Sequence, residues 1–231
     1  MTKFKTPSRR GILTGGLGLV GGALTVTGLP GTAYATDRPQ PSEATSAWSK
    51  DTSANGWPVT DHDGIAPHKV EGSPITVSLR SGDSATVLLY AARRFFYELD
   101  SELRTEDISG HTTDRAVAAA YESNLLSGTA LTIRPGAYPL GAKDGFFPQE
   151  VQVIRDILAD CEGTVRWGGD EKFPKESHFQ IDVKPGDKKL TRVAAKIRSW
   201  DTTPGTGAGA TDPFTPQRRR DADALARTQA A

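Results

Sequence analysis

The sequence predicts an α+β fold, a small antiparallel sheet packed against helices. Three observations lead there. Apolar residues recur at helical spacing in three separate stretches. The strand-like stretches between them are short. Strands and helices do not alternate in βαβ order with the long hydrophobic runs of a buried parallel sheet.

The chain of 231 residues is long enough for one domain with appendages, and its 24 glycines and 15 prolines suggest that part of it is linker. Residues 1–35 read as a targeting segment. Ser8-Arg9-Arg10-Gly11-Ile12-Leu13 precedes an uncharged Gly-, Leu- and Val-rich stretch that ends in Ala33-Tyr34-Ala35, a small-x-small cleavage pattern. Paired arginines before a mildly apolar middle resemble a twin-arginine export signal, which implies an extracellular or cell-wall location and no membrane attachment once the signal is cut. Residues 36–70 are polar, broken by Pro39, Pro41, Pro58 and Pro67, and read as a linker or arm in which Asn55-Gly56-Trp57-Pro58 is expected to dock on the domain through its Trp.

The domain is expected over 71–200. Pro74–Leu79 alternates like a strand. Ser81, Asp83 or Ser84 can cap a helix carrying Val87, Leu88, Ala91, Ala92, Phe95 and Leu99. Phe147-Pro148-Gln149-Glu150 opens a second helix, with Val151, Ile154, Leu158 and Cys161 on its buried stripe and Gly163 as its stop. Leu190, Val193, Ala194 and Ile197 mark a third. Short strands fit Thr129–Ile133, Thr164–Trp167 and His178–Val183. From 201 to 231 the only large apolar residues are Phe214 and Leu225, so this stretch is expected to be a disordered tail.

Charge and cysteine usage exclude several functions. Lys+Arg and Asp+Glu are both 28; without Lys3, Lys5, Arg9 and Arg10 the remainder carries 24 bases against 28 acids, a net charge of −4. That disfavours a nucleic-acid partner. The single cysteine, Cys161, excludes an internal disulfide and any Cys-rich metal site, and its place on a helical stripe makes it a core thiol. The four histidines, His62, His68, His111 and His178, form no H-E-x-x-H pair, and there is no G-x-S-x-G elbow. The best candidate is the strand from His178. Period-two alternation puts His178, Gln180 and Asp182 on one face, with Glu176 expected on the same side, and Phe179, Ile181 and Val183 on the other, just after a tight Trp167-Gly168-Gly169-Asp170 turn. Along the stretch from Thr129 it puts Thr132 with Ala130 and Arg134, opposite Leu131 and Ile133.

Two segments resemble a known family. Ser123-Asn124-Leu125-Leu126-Ser127-Gly128-Thr129-Ala130-Leu131-Thr132 is similar to the S-N-H-x-x-G-T-A-x-D segment of the zinc peptidases that act on peptidoglycan stem peptides, the D-alanyl-D-alanine carboxypeptidases and L-alanyl-D-glutamate peptidases. Arg166–Asp170 followed by His178-Phe179-Gln180-Ile181 resembles the family's W-G-G-D and H-F segments, in the same order and separation. The resemblance covers about residues 121–183 and implies a D-alanyl-D-alanine carboxypeptidase-like core.

The resemblance also implies a zinc centre, and here two of its three ligands are replaced. Leu125 stands at the first histidine, Thr132 at the aspartate, and only His178 matches. Lys175 stands at the catalytic base, with Glu176 beside it. Catalytic zinc ordinarily needs three protein ligands, so no cofactor is expected and the protein reads as inactive, at most binding stem peptides along Ser123, Ser127, Thr132, Glu176 and His178. Arg115 is the candidate for the family's arginine upstream of the first motif. Two alternatives stand beside this reading. One is an active zinc peptidase that recruits His111, Glu176 or Asp182 as substitutes; the other is a structural or protein-interaction module.

Overall fold

A computed structural model describes residues 45–203, 205–206 and 211–230. The export-signal reading falls on residues 1–35, outside the described residues. In chain order the elements are β1 (Ser46–Ala47), β2 (Ile65–Lys69), β3 (Thr76–Arg80), α1 (Asp83–Glu98), β4 (Ile108–Ser109), β5 (Ala116–Val117), β6 (Ala130–Ile133), α2 (Pro148–Asp160), β7 (Val165–Trp167), β8 (His178–Ile181), α3 (Lys188–Asp201) and α4 (Pro216–Ala230). The fold is α+β. A four-stranded antiparallel sheet of order β4-β6-β8-β7 forms its centre, and β2–β3 and β1–β5 make two small antiparallel pairs. Among the described residues no helix is long and apolar enough to cross a membrane.

The core lies between one face of the central sheet and the helices. Leu131, Ile133, Phe179 and Ile181 point to that face, because alternate residues of a strand share a side. They meet Leu88 and Phe95 of α1, Ile154 and Leu158 of α2, and Leu190, Val193, Ala194 and Ile197 of α3. The Phe95 ring stands edge-on to Phe146 and Phe179. Pro148 and Glu150 start α2 as expected, with the Glu150 carboxylate accepting from the Phe147 N–H at 2.7 Å. Gly163, at φ 73°, follows its end in the left-handed conformation that stops a helix. The stripe of α2 is wider than expected and includes Val153 and Ile157.

Three expectations are corrected. No side chain caps α1; Gly82 turns the chain at φ 102°, a conformation open to glycine, and the Ser84 hydroxyl donates to the Arg80 carbonyl instead. The arm is not all linker, since β2 pairs with β3 from Ile65↔Arg80 to Lys69↔Thr76. Pro67 resembled a strand breaker, yet an edge strand can spare one N–H. The tail carries a helix. In α4, Ala222 is fully buried and Leu225 packs on the core. Arg218 binds Asp156 and Asp160 of α2 at 2.6–2.8 Å, beside the fully buried Arg94 of α1, which itself pairs with Asp156, Asp160 and Glu98. Charge supplied by distant elements anchors this segment, so its own apolar content gave no sign of the helix.

Candidate functional site

The second face of the central sheet holds the candidate residues. Across β6 and β8, Ala130 pairs with Gln180 and Thr132 with His178, so the phase expected for both strands holds. A 3₁₀ turn over Ala120–Leu125 and the loop after it cover this face. The Tyr121 ring lies edge-on to the His178 imidazole, 5.0 Å between centres.

A chain of hydrogen bonds fixes how the imidazole is protonated. The Asn55 backbone N–H donates to Asn124 Oδ1 (3.0 Å), which leaves Asn124 Nδ2 to donate to Gln180 Oε1 (2.7 Å). Gln180 Nε2 donates to Glu171 Oε1 (3.0 Å). Gln180 Oε1 can therefore only accept, and His178 Nε2, 3.1 Å away, must carry the proton. His178 Nδ1 is buried without a partner.

The electrostatics agree with a neutral ring. His178 is 0 % exposed. Burial, aided by the nearby Lys175 charge, pushes its pKa down to about 4 against the weaker opposing effects of Gln180 and Glu122. Lys175 is itself tied to Glu122 at 2.6 Å. Burial would raise the Glu122 carboxyl, but Lys175 and the Ala118 and Ala119 N–H groups outweigh it and hold the pKa below the usual value. Glu171, at the outer end of the chain, is raised by burial.

The arm closes the face from outside. Ser53 Oγ lies 3.0 Å from Ser127 Oγ, and the Ala54 N–H donates to Ser123 Oγ (2.9 Å). Asn55 Nδ2 donates to both Thr129 Oγ1 and the Ile181 carbonyl, each at 2.9 Å. Trp57 docks as expected, its Nε1–H donating to the Val183 carbonyl (2.8 Å).

The other expected site residues are placed as follows. Ser123 and Ser127 are buried and bonded to the arm, and Thr132 is 3 % exposed, so the stretch read as a substrate groove is shut at these positions. Glu176 does not join His178. Its two oxygens accept the Asp144 and Gly145 N–H groups at 3.0 and 2.9 Å, and it pins that loop. Burial raises its pKa, more than these two bonds lower it. Gly145 suits the contact, since a Cβ there would meet the Glu176 carboxylate at 2.8 Å and Tyr138 at 2.7 Å. Arg115 donates to the Trp48 carbonyl (3.1 Å) and clamps the arm. Leu125 is half-buried at the end of the 3₁₀ turn.

The residues do not fit a zinc centre. Leu125 has no donor atom and Thr132 offers only a neutral hydroxyl. Of the substitutes, His111 Nε2 donates to the Thr60 carbonyl (2.8 Å), Asp182 pairs with Arg166 at 3.1 Å, and Glu176 holds its loop. Among the described residues no three His, Cys, Asp or Glu side chains converge into a metal-holding group. Sequence reasoning overlooked Ser53 and Glu122, whose roles arise from contacts 74 and 53 residues away. The polar Ser53-x-Asn55 pair beside Trp57 was the available signal.

Comparison with family models, with curated proteins and with solved structures found no match.

Proposed function

We propose that this chain is an exported, cell-wall-associated protein that keeps the layout of a peptidoglycan stem-peptide peptidase, lacks the standard zinc site and carries out no peptidase chemistry. The sealed histidine position carries the reading. Thr132 and His178, which map onto two of the family's ligands, face one another across β6 and β8, and Leu125 ends the turn that packs on the same strands. Where the resemblance places a metal and a base, the protein has a neutral imidazole bonded to Gln180 and a Lys175–Glu122 ion pair. Arg9-Arg10 and Ala33-Tyr34-Ala35 support export.

The docked arm favours a second reading, a structural or protein-interaction module. A stem peptide could reach Ser123 or Ser127 only after Ser53 and Ala54 had left.

Elemental analysis and incubation with stem peptides test both readings. The purified protein is expected to hold no stoichiometric zinc and to leave the peptides intact. The double change Leu125→His, Thr132→Asp is expected to raise zinc affinity by orders of magnitude, because each added ligand shares in one ion's binding energy. Stoichiometric zinc in the unmodified protein, lost on His111→Ala, would restore the active peptidase with a recruited ligand. No gain from the double change would overturn the likeness to the peptidases.

A further inference from the structure

A cleft of about 410 Å³ opens where α1 and α3 end, and its walls include Glu71, Arg93, Tyr97, Trp200, Asp201 and Thr203. A second cleft of about 200 Å³ shares Glu71, Arg93 and Asp201, so the two run together across the Arg93 guanidinium. Neither uses a residue of the β6–β8 face.

The one cation among the described residues of the larger cleft, Arg93, is already engaged by two carboxylates. Arg93 donates from one terminal nitrogen to Glu71 and from the other to Asp201 (2.7 Å). An anion would have to displace one of these carboxylates, whereas a neutral hydroxyl can donate to the lone pairs they leave. Glu71 is 71 % exposed at its side chain and keeps a second oxygen for a ligand. The Thr203 hydroxyl donates to the Ser199 carbonyl (2.8 Å), which leaves its oxygen as an acceptor. Arg93 Nε is a buried donor with no partner.

Beside these polar groups stands a preset aromatic surface. Tyr97 is 50 % exposed. Its ring packs edge-on to Phe96, and its hydroxyl rests on Gly72, where a Cβ would sit 1.7 Å away. An apolar ring face next to planar polar side chains matches a molecule with a C–H face and hydroxyls around its rim. We infer that this cleft binds a neutral saccharide, with Tyr97 stacked on a sugar ring and Glu71, Asp201 and Thr203 accepting its hydroxyls.

Calorimetric titration of the full chain with a tetramer of β-linked N-acetylglucosamine tests this independently of the zinc and peptide experiments. Saturable binding is expected. Tyr97→Ala should weaken it at least about tenfold, and Tyr97→Phe, which keeps the ring, should retain it. Glu71→Gln, at a largely exposed side chain, should weaken binding with no change in the thermal midpoint. No saturable heat at millimolar sugar would overturn the inference. So would undiminished binding by a folded Tyr97→Ala protein, or binding of a lysine tetrapeptide in place of the sugar, which would mark a cation site.

Discussion

Acid should destabilise this protein through His178 in particular. In the unfolded chain the imidazole has its ordinary pKa of 6.5, and in the fold burial first, then Lys175, lowers it to about 4. Between those values the unfolded state binds the proton and the folded state does not. Stability contributed by the neutral ring is therefore complete above pH 6.5 and is lost as pH falls towards 4. At 1.36 kcal/mol per pH unit, the gap is worth about 3 kcal/mol. The comparison protein is His178→Gln, whose amide does not titrate and can still donate to Gln180. Urea unfolding of both proteins, stepped from about pH 7.5 to about pH 4.5, isolates the histidine, because Glu122, Glu171 and Glu176 titrate in both. The unmodified protein should lose about 2.5 kcal/mol more than the variant across that range, since the folded ring is still largely neutral at the lower end. Parallel curves would refute the buried neutral imidazole, and with it the tautomer deduced from the Asn55–Asn124–Gln180 chain.

Leu158→Ala empties a fully buried position between α2 and the sheet and should cost about 2–5 kcal/mol by chemical denaturation. Asp156→Ala should cost about 3 kcal/mol or more, because Arg94 is fully buried and Arg218 loses its anchor. Hydrogen exchange should then quicken first in the amides of α4, and unchanged exchange there would contradict the docking of that helix through Arg218.

What the sequence revealed and what it hid follow from the range of the forces involved. The start of α2 was legible because Pro148 and Glu150 act within one turn, and the stripe of α3 because Leu190, Val193, Ala194 and Ile197 repeat at helical spacing. The strand from His178 showed its phase but not its cover. Period two assigns a residue to a face and says nothing of the Tyr121 ring against His178 or of the arm bonded to Asn124. Alternation also fails at Glu176, since the strand begins at His178 and the preceding residues form a turn closed by the His178 N–H to the Lys175 carbonyl. Helix α4 was illegible for a different reason. Its anchor is a set of carboxylates and an arginine on α1 and α2, and no pattern within residues 216–230 encodes them.

The docked arm also dictates an order of assembly. Asn55 and Trp57 find their acceptors on Ile181 and Val183, 126 residues later in the chain. During synthesis at about 5–20 residues per second, the arm emerges many seconds before the carbonyls it will bind. Its closure must wait until β8 has been made and has paired with β6. The latch is thus translated well before the strand it locks onto, so the arm's protection from protease or exchange would report completion of the sheet.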